Sequence, residues 1–174
     1  EDDTTPKKLP ITRVVDTMLA SDMSEYVIAA IFSFLKHLSV YRIDQLKKVW
    51  KPRPYHRISD FTVGIMGLGA LGTVLANDLV RFGFKTQGWA NSQKQLQGVK
   101  VFHGKNEFDA FLSTSQVLVC LLPLTTETAG ILNTGLFQKL PKGAYVINAA
   151  RGGHLVDLDL IEYIDNGHIS GATL

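Results

Sequence analysis

A doubly wound parallel α/β sheet, preceded by a long apolar helix, is the fold this sequence predicts. Three observations predict it. From Phe61 onward, short apolar runs alternate with amphipathic stretches. The apolar runs are nearly continuous, as in strands buried on both faces. Gly83, Pro141 and Gly167 follow three of the amphipathic stretches, at the places where helices stop.

Taken in order, Glu1 to Lys8 is polar and reads as a loose lead-in, and Leu9 to Val15 as a short strand weakened by Pro10. Asp22 reads as an N-cap with Glu25 as its reciprocal partner. The helix they open runs from Met23 to about Val49, with a break, and Lys51-Pro52-Arg53-Pro54 ends it. Its first half, Tyr26 to Phe32, is apolar on all sides. Such a helix has to be covered all round, either as a core helix or at a subunit interface, and both readings stand here. Strands are predicted at Phe61 to Met66, Lys85 to Trp89, Val117 to Leu122 and Ala144 to Ala149. Helices are predicted at Leu71 to Phe82, Glu107 to Leu112, Thr134 to Leu140 and Leu158 to Asn166. Strand–helix alternation makes right-handed βαβ units and a sheet covered on both faces. The chain divides into a lead-in over 1–20 and one α/β domain over 21–174.

Composition narrows the function. With 174 residues, 45% hydrophobic and 20% charged, the chain is long enough for one domain with a sizeable core. A formal net charge of +2 gives no electrostatic case for nucleic acid or a membrane surface as partner. No apolar run reaches the roughly 18 residues that a membrane-spanning helix needs. The single cysteine, Cys120, excludes an intrachain disulfide and a cysteine-based zinc site, and no metal is expected. It sits in the run Val117 to Leu122, where a buried inert thiol is expected, and this usage suits a reducing, cytoplasmic setting.

Gly67-Leu68-Gly69-Ala70-Leu71-Gly72 is G-x-G-x-x-G. The spacing gains meaning because an apolar strand precedes it and a helix follows it. Gly67 permits the tight turn, Gly69 lets a pyrophosphate approach the backbone, and Gly72 lets helix and strand pack closely. The pyrophosphate then meets the free N–H groups around Ala70 and Leu71. This context makes the domain a Rossmann-type dinucleotide-binding domain.

An NAD-specific site places a carboxylate at the end of the second strand, where it holds the ribose hydroxyls and repels a 2′-phosphate. Here no Asp or Glu occurs from Leu79 to Asn106. Asn91 and Ser92 can hydrogen-bond a phosphate, and Lys94 can supply charge. NADP is therefore favoured, with NAD as the alternative, since the loop holds no arginine.

Two further signatures follow strands. Leu122-Pro123-Leu124-Thr125-Thr126-Glu127-Thr128 begins at the carboxyl end of one strand, where doubly wound sheets bind ligands, although its threonines also suit turn capping. Asn148-Ala149-Ala150-Arg151-Gly152-Gly153 follows another and sets an arginine, a planar carboxylate-matching cation, at the same edge.

These motifs, in this order and spacing, resemble the D-isomer-specific 2-hydroxyacid dehydrogenase family. Gly143-Ala144-Tyr145-Val146-Ile147-Asn148 and Gly167-His168-Ile169-Ser170-Gly171-Ala172 fit the same pattern. The A-type glyoxylate/hydroxypyruvate reductases are the subgroup most similar, through Trp50-Lys51-Pro52, Val63-Gly64-Ile65-Met66-Gly67 and Arg151-Gly152-Gly153-His154. The resemblance implies reduction of a small 2-oxo acid to the 2-hydroxy acid. It puts Ala70 and Leu71 on the pyrophosphate, Asn91 and Ser92 near the adenosine ribose, and Leu122, Pro123 and Thr128 along the cofactor. Ala149, Ala150 and Arg151 would lie at the nicotinamide end, with Arg151 the catalytic arginine. Where the subgroup carries arginines after the second strand, this chain has Asn91 and Gln93.

The family's proton donor, a histidine paired with a glutamate, belongs downstream of the Gly-Ala-x-Leu stretch in which this sequence ends. The chain is therefore expected to be truncated at its C-terminal end, with 1–20 leading in from a missing substrate domain, and to bind cofactor without turnover. His154, the histidine nearest Arg151, is not at the family's catalytic position, and His103 and His168 read as surface. A homodimer through the helix starting near Met23 is expected. The alternatives are a nicotinamide-sensing, co-repressor-like module without turnover, and an interaction scaffold with a vestigial glycine loop.

Overall fold

The computed structural model describes residue 16 and residues 18–174. The strand expected at Leu9 to Val15 and most of the lead-in lie outside the described residues.

Six parallel strands form one sheet: β1 (Thr62–Met66), β2 (Lys85–Ala90), β3 (Val99–His103), β4 (Val117–Cys120), β5 (Ala144–Asn148) and β6 (Ile169–Thr173). Their order is β3-β2-β1-β4-β5-β6. This is the dinucleotide-binding order, with its crevice where the winding reverses between β1 and β4. The helices are α1 (Leu19–Leu35), α2 (Leu38–Leu46), α3 (Ala70–Phe82), α4 (Phe108–Leu112), α5 (Thr134–Phe137) and α6 (Asp157–Asp165).

Two apolar layers sandwich the sheet. On one face α1 and α3 bury Val27, Ile31, Leu35, Leu75 and Leu79 against Val63, Ile65, Val117 and Val119. On the other, Phe111, Phe137, Leu136 and Leu160 pack on Met66, Leu118, Cys120 and Val146. Alternate residues of one strand feed opposite layers, so Val117 to Cys120 of β4 is apolar and buried throughout.

Two strands were absent from the expected set. In β3, a sheet edge, only Phe102 is buried and Lys100 and His103 are exposed, so the apolar run is interrupted. In β6 only Ile169 is buried, and Gly171 (φ +155°) sits beside a register shift against β5.

The N-terminal helix also departs from expectation. It starts at Leu19 rather than Met23, with Met18 as N-cap. Asp16, not Asp22, takes the first free amide, with Oδ1 accepting from Met18 N at 2.8 Å. Asp22 instead lies inside the first turn, where its charge still suits the helix dipole. The expected long helix is two, because His37 adopts a left-handed conformation (φ +54°) and bends the path by 56°. α2 ends at Leu46, and Lys48 (φ +54°) turns the chain before Pro52 is reached. The face of α1 carrying Ser24, Val27, Ile28, Ile31 and Leu35 is buried in the core, while Tyr26 and Ala29 are exposed. α2 buries none of its residues. Arg53 fastens the following arm back onto it through Asp44 (2.7 Å) and the Tyr41 hydroxyl (2.9 Å).

Gly83 stops α3 as expected, in a left-handed conformation (φ +90°), with Gly83 N donating to Val80 O and Phe84 N to Leu79 O.

Candidate functional site

Parallel strands point their carboxyl ends one way, so the loops after β1, β2, β4 and β5 gather at one edge. These loops, with the first turn of α3, carry the candidate cofactor and substrate residues.

The glycine loop is shaped by what its glycines exclude. Gly67 (φ +102°) takes a conformation that other residues rarely adopt, and a Cβ there would lie 2.9 Å from Leu121 O. A Cβ on Gly72 would lie 1.9 Å from Gly67 O, so the first turn of α3 packs directly on the loop backbone. Around Gly69 a Cβ would meet nothing within 4 Å, so the backbone there faces open space. No side chain caps α3, and no acid lies in its first turn. Its free amides near Ala70 and Leu71 thus remain available to an anion, and the cradle fits a pyrophosphate.

Asn91 and Ser92 are exposed just after β2. Lys94 reaches across the glycine loop, its Nζ donating to Leu68 O. It thereby places an exposed cation beside the α3 N-terminus. Beneath this corner Leu68 packs flat on Gly88, where a Cβ would come within 2.5 Å of the Leu68 side chain. Sequence reasoning missed that pairing, since Gly88 belongs to no motif.

After β4, Leu122 is half-buried, and Pro123 starts a turn closed by Thr128. The Thr128 hydroxyl donates to Pro123 O (2.6 Å) and accepts from Thr125 N (2.8 Å). The threonines therefore do cap this turn. The Thr125 hydroxyl also donates to Glu127 (2.8 Å), holding that exposed carboxyl below its usual range. Glu127 is thus ionised at neutral pH and is unsuited to donating a proton. Cys120, at the end of β4, is buried, and burial pushes its thiol up to about 11, as an inert core sulfur requires.

After β5, Ala149 and Ala150 are half-buried and Arg151 is exposed. The guanidinium makes one hydrogen bond, Nη1 to Ala150 O at 2.8 Å. Its main chain is held more firmly. Arg151 O accepts from Asn148 Nδ2 (2.9 Å) and His154 N (3.1 Å), and His154 Nδ1 lies 3.0 Å away. The rim loops are joined as well: Gly130 N donates to Gly153 O and Leu132 N to His154 O.

The five histidines have distinct environments. His37 meets His56 at a tilt, and His56 sits edge-on to Phe61, at the amino-terminal side of the sheet. His103 pairs with Glu107. His168, expected on the surface, is half-buried, and its Nε2 lies 3.0 Å from both Phe137 O and Leu140 O. His154 is fully buried. Its Nε2 has no hydrogen-bond partner among the described residues, but it is buried rather than open to the sheet edge. Among the described residues no group of His, Cys, Asp and Glu could hold a metal ion.

Residues 28–174 match the family model described as D-isomer specific 2-hydroxyacid dehydrogenase, NAD binding domain. The chain belongs to this family. A relative within it, glyoxylate/hydroxypyruvate reductase A from Yersinia enterocolitica, is 40% identical over 171 residues, which is 98% of this chain and 55% of that protein. The NADPH-dependent glyoxylate/hydroxypyruvate reductase of Sinorhizobium meliloti, solved with NADP and sulfate, superimposes with a TM-score of 0.91 at 38% identity, covering 96% of this chain and 54% of that one. A D-isomer specific 2-hydroxyacid dehydrogenase from Xanthobacter autotrophicus, solved with NADPH and MES, gives 0.92 at 34% identity, covering 98% and 70%. The chain thus spans about half the length of the curated relatives it matches. It is the NAD-binding domain of the 2-hydroxyacid dehydrogenase family.

Proposed function

We propose that this domain binds NADP(H) within an enzyme that reduces a small 2-oxo acid of the glyoxylate/hydroxypyruvate type to the 2-hydroxy acid. One observation carries the reading. An uncapped helix start behind an open Gly69 and the Arg151 loop stand at the same sheet edge, on neighbouring sides of the β1–β4 crevice. The names of the relatives support it.

The nicotinamide, when bound, supplies the hydride that reaches the carbonyl carbon. Gly67, Gly69, Ala70, Leu71 and Gly72 hold the pyrophosphate. Asn91, Ser92 and Lys94 take the adenosine ribose and its 2′-phosphate. Leu122, Pro123, Thr128, Ala149 and Ala150 line the route to the nicotinamide. Arg151 holds the substrate carboxylate and stabilises charge growing on the carbonyl oxygen. The proton donor is proposed to lie outside this chain, as the resemblance to the family implies, and the chain alone is expected to bind without turnover.

The test is a side-by-side fluorescence titration with NADPH and NADH. NADPH is expected to bind about tenfold tighter, one ion pair to a 2′-phosphate being worth about 1.4 kcal/mol here. Lys94→Ala should bring the two affinities within about threefold, a loss of that one contribution. Tighter NADH binding, or an unchanged ratio in the variant, would overturn the cofactor assignment.

The homodimer is likewise proposed. What supports it is a set of exposed apolar side chains: Tyr26 on α1, Leu38, Ile43 and Leu46 on α2, then Val49 and Trp50, the last 92% exposed. A groove of about 580 Å³ between Tyr41, Val49, Trp50 and Pro52 adds to it. Patches of this kind mark interfaces. Light scattering at micromolar concentration should give twice the monomer mass for the wild type. Ile43→Glu with Leu46→Glu should give the monomer with NADPH binding retained, and a monomeric wild type would refute the dimer.

A further inference from the structure

We propose that His154 is a positioning residue for the substrate arginine, acting as a buried hydrogen-bond donor to the Arg151 carbonyl. The inference rests on the reading of Arg151 given above. It starts from an asymmetry within that residue. The guanidinium is exposed and bonded only to the neighbouring Ala150 O. Its aim therefore depends on where the main chain at Arg151 is fixed. One atom does most of the fixing: Arg151 O, met by Asn148 Nδ2 at 2.9 Å, by His154 N at 3.1 Å and by His154 Nδ1 at 3.0 Å.

The chemistry of that last contact assigns the ring's proton. A carbonyl oxygen only accepts, so Nδ1 has to carry the hydrogen. The opposite tautomer would set two lone pairs against each other at 3.0 Å. It would also leave an N–H on Nε2, which is buried and has no hydrogen-bond partner among the described residues. A buried N–H without an acceptor is costlier than a buried lone pair without a donor. The ring is thus a fixed donor facing Arg151.

His154 also stands at the joint between the two rim loops. Its own carbonyl accepts from Leu132 N (2.8 Å), and the preceding Gly153 O accepts from Gly130 N (2.9 Å). Gly153 is pressed against Leu124, where a Cβ would come within 2.9 Å. The Pro123–Ile131 loop and the Arg151 loop are therefore held in one arrangement, with the imidazole as the buried peg. A general-acid role does not fit, because Nδ1 is engaged and the ring has no exposure to substrate.

The experiment uses the full-length protein, with glyoxylate and NADPH. His154→Leu keeps the apolar volume and removes the donor, whereas His154→Asn returns an N–H at the Nδ1 position. His154→Leu is expected to raise KM for glyoxylate at least tenfold, a loosened carboxylate clamp, while Kd for NADPH stays within about twofold. His154→Asn should bring KM back to within about threefold of wild type. Long-range ¹H–¹⁵N correlation on the wild type, which needs no variant, should show the Nδ1–H tautomer. An Nε2–H tautomer, a wild-type KM in His154→Leu, or no rescue by Asn would overturn the inference. Arg151→Gln is run alongside. If it too keeps the wild-type KM, the arginine reading fails and this inference with it. If it is impaired while His154→Leu is not, only the role of His154 fails.

Discussion

Gly72→Ala is expected to cost the domain about 3 kcal/mol or more in stability and to abolish NADPH binding. The added methyl would sit 1.9 Å from Gly67 O, and the obstacle is backbone rather than the end of a mobile side chain. Relief requires α3 to move off β1, and α3 carries Leu75, Ala76 and Leu79 of the main core layer. Gly69→Ala is the matched control. Its methyl would meet nothing within 4 Å, and φ −74° suits alanine. Stability should change by less than about 1 kcal/mol, near the ordinary cost of alanine at an N-cap. NADPH affinity should still fall by about tenfold to a hundredfold, because the methyl occupies the path of the pyrophosphate. Chemical denaturation and a cofactor titration on both variants check this. Equal destabilisation of the two would show that the loop is only a turn.

Arg151→Gln is expected to lower kcat/KM for glyoxylate about a thousandfold in the full-length protein, some 4 kcal/mol of transition-state stabilisation, the scale of losing an aimed charged donor. Melting temperature and Kd for NADPH should barely move, since the guanidinium is exposed and makes only the bond to Ala150 O. Steady-state kinetics with a thermal melt decide it. A loss under about tenfold would place the substrate's carboxylate on another cation, the tenfold mark being 1.4 kcal/mol.

How far the sequence carried this depended on whether each signal was local. Gly67, Gly69 and Gly72 were legible because the constraint that selects each glycine is met within one strand–turn–helix unit. Arg151 was legible because its residue type and its place after a strand already specify an anion at the ligand edge. β3 and β6 were illegible because edge strands bury few residues: Phe102 alone in one and Ile169 alone in the other. The Asp22–Glu25 pattern misplaced the helix start because Met18, Leu19 and Ala20 extend the helix upstream without a capping side chain. The break at His37 has no glycine or proline to announce it. The clamp on Arg151 O was not legible because it comes from His154 turning back across a 3-10 turn, in a segment that also pairs with the distant Gly130 and Leu132.

The strand order has a consequence for how the chain is made. β1 is paired on one side with β2, which follows it closely, and on the other with β4, whose Val117 lines up with Val63 across all of residues 64–116. A ribosome releases the amino-terminal part first. While the segment up to Gln116 is emerging, the β4-facing margin of Val63, Gly64, Ile65 and Met66 is a bare apolar edge with its peptide groups unsatisfied, the kind of surface that recruits chaperones or a second nascent copy. Pairing with Val117 to Cys120 covers that edge, so it is closed only after β4 has been made.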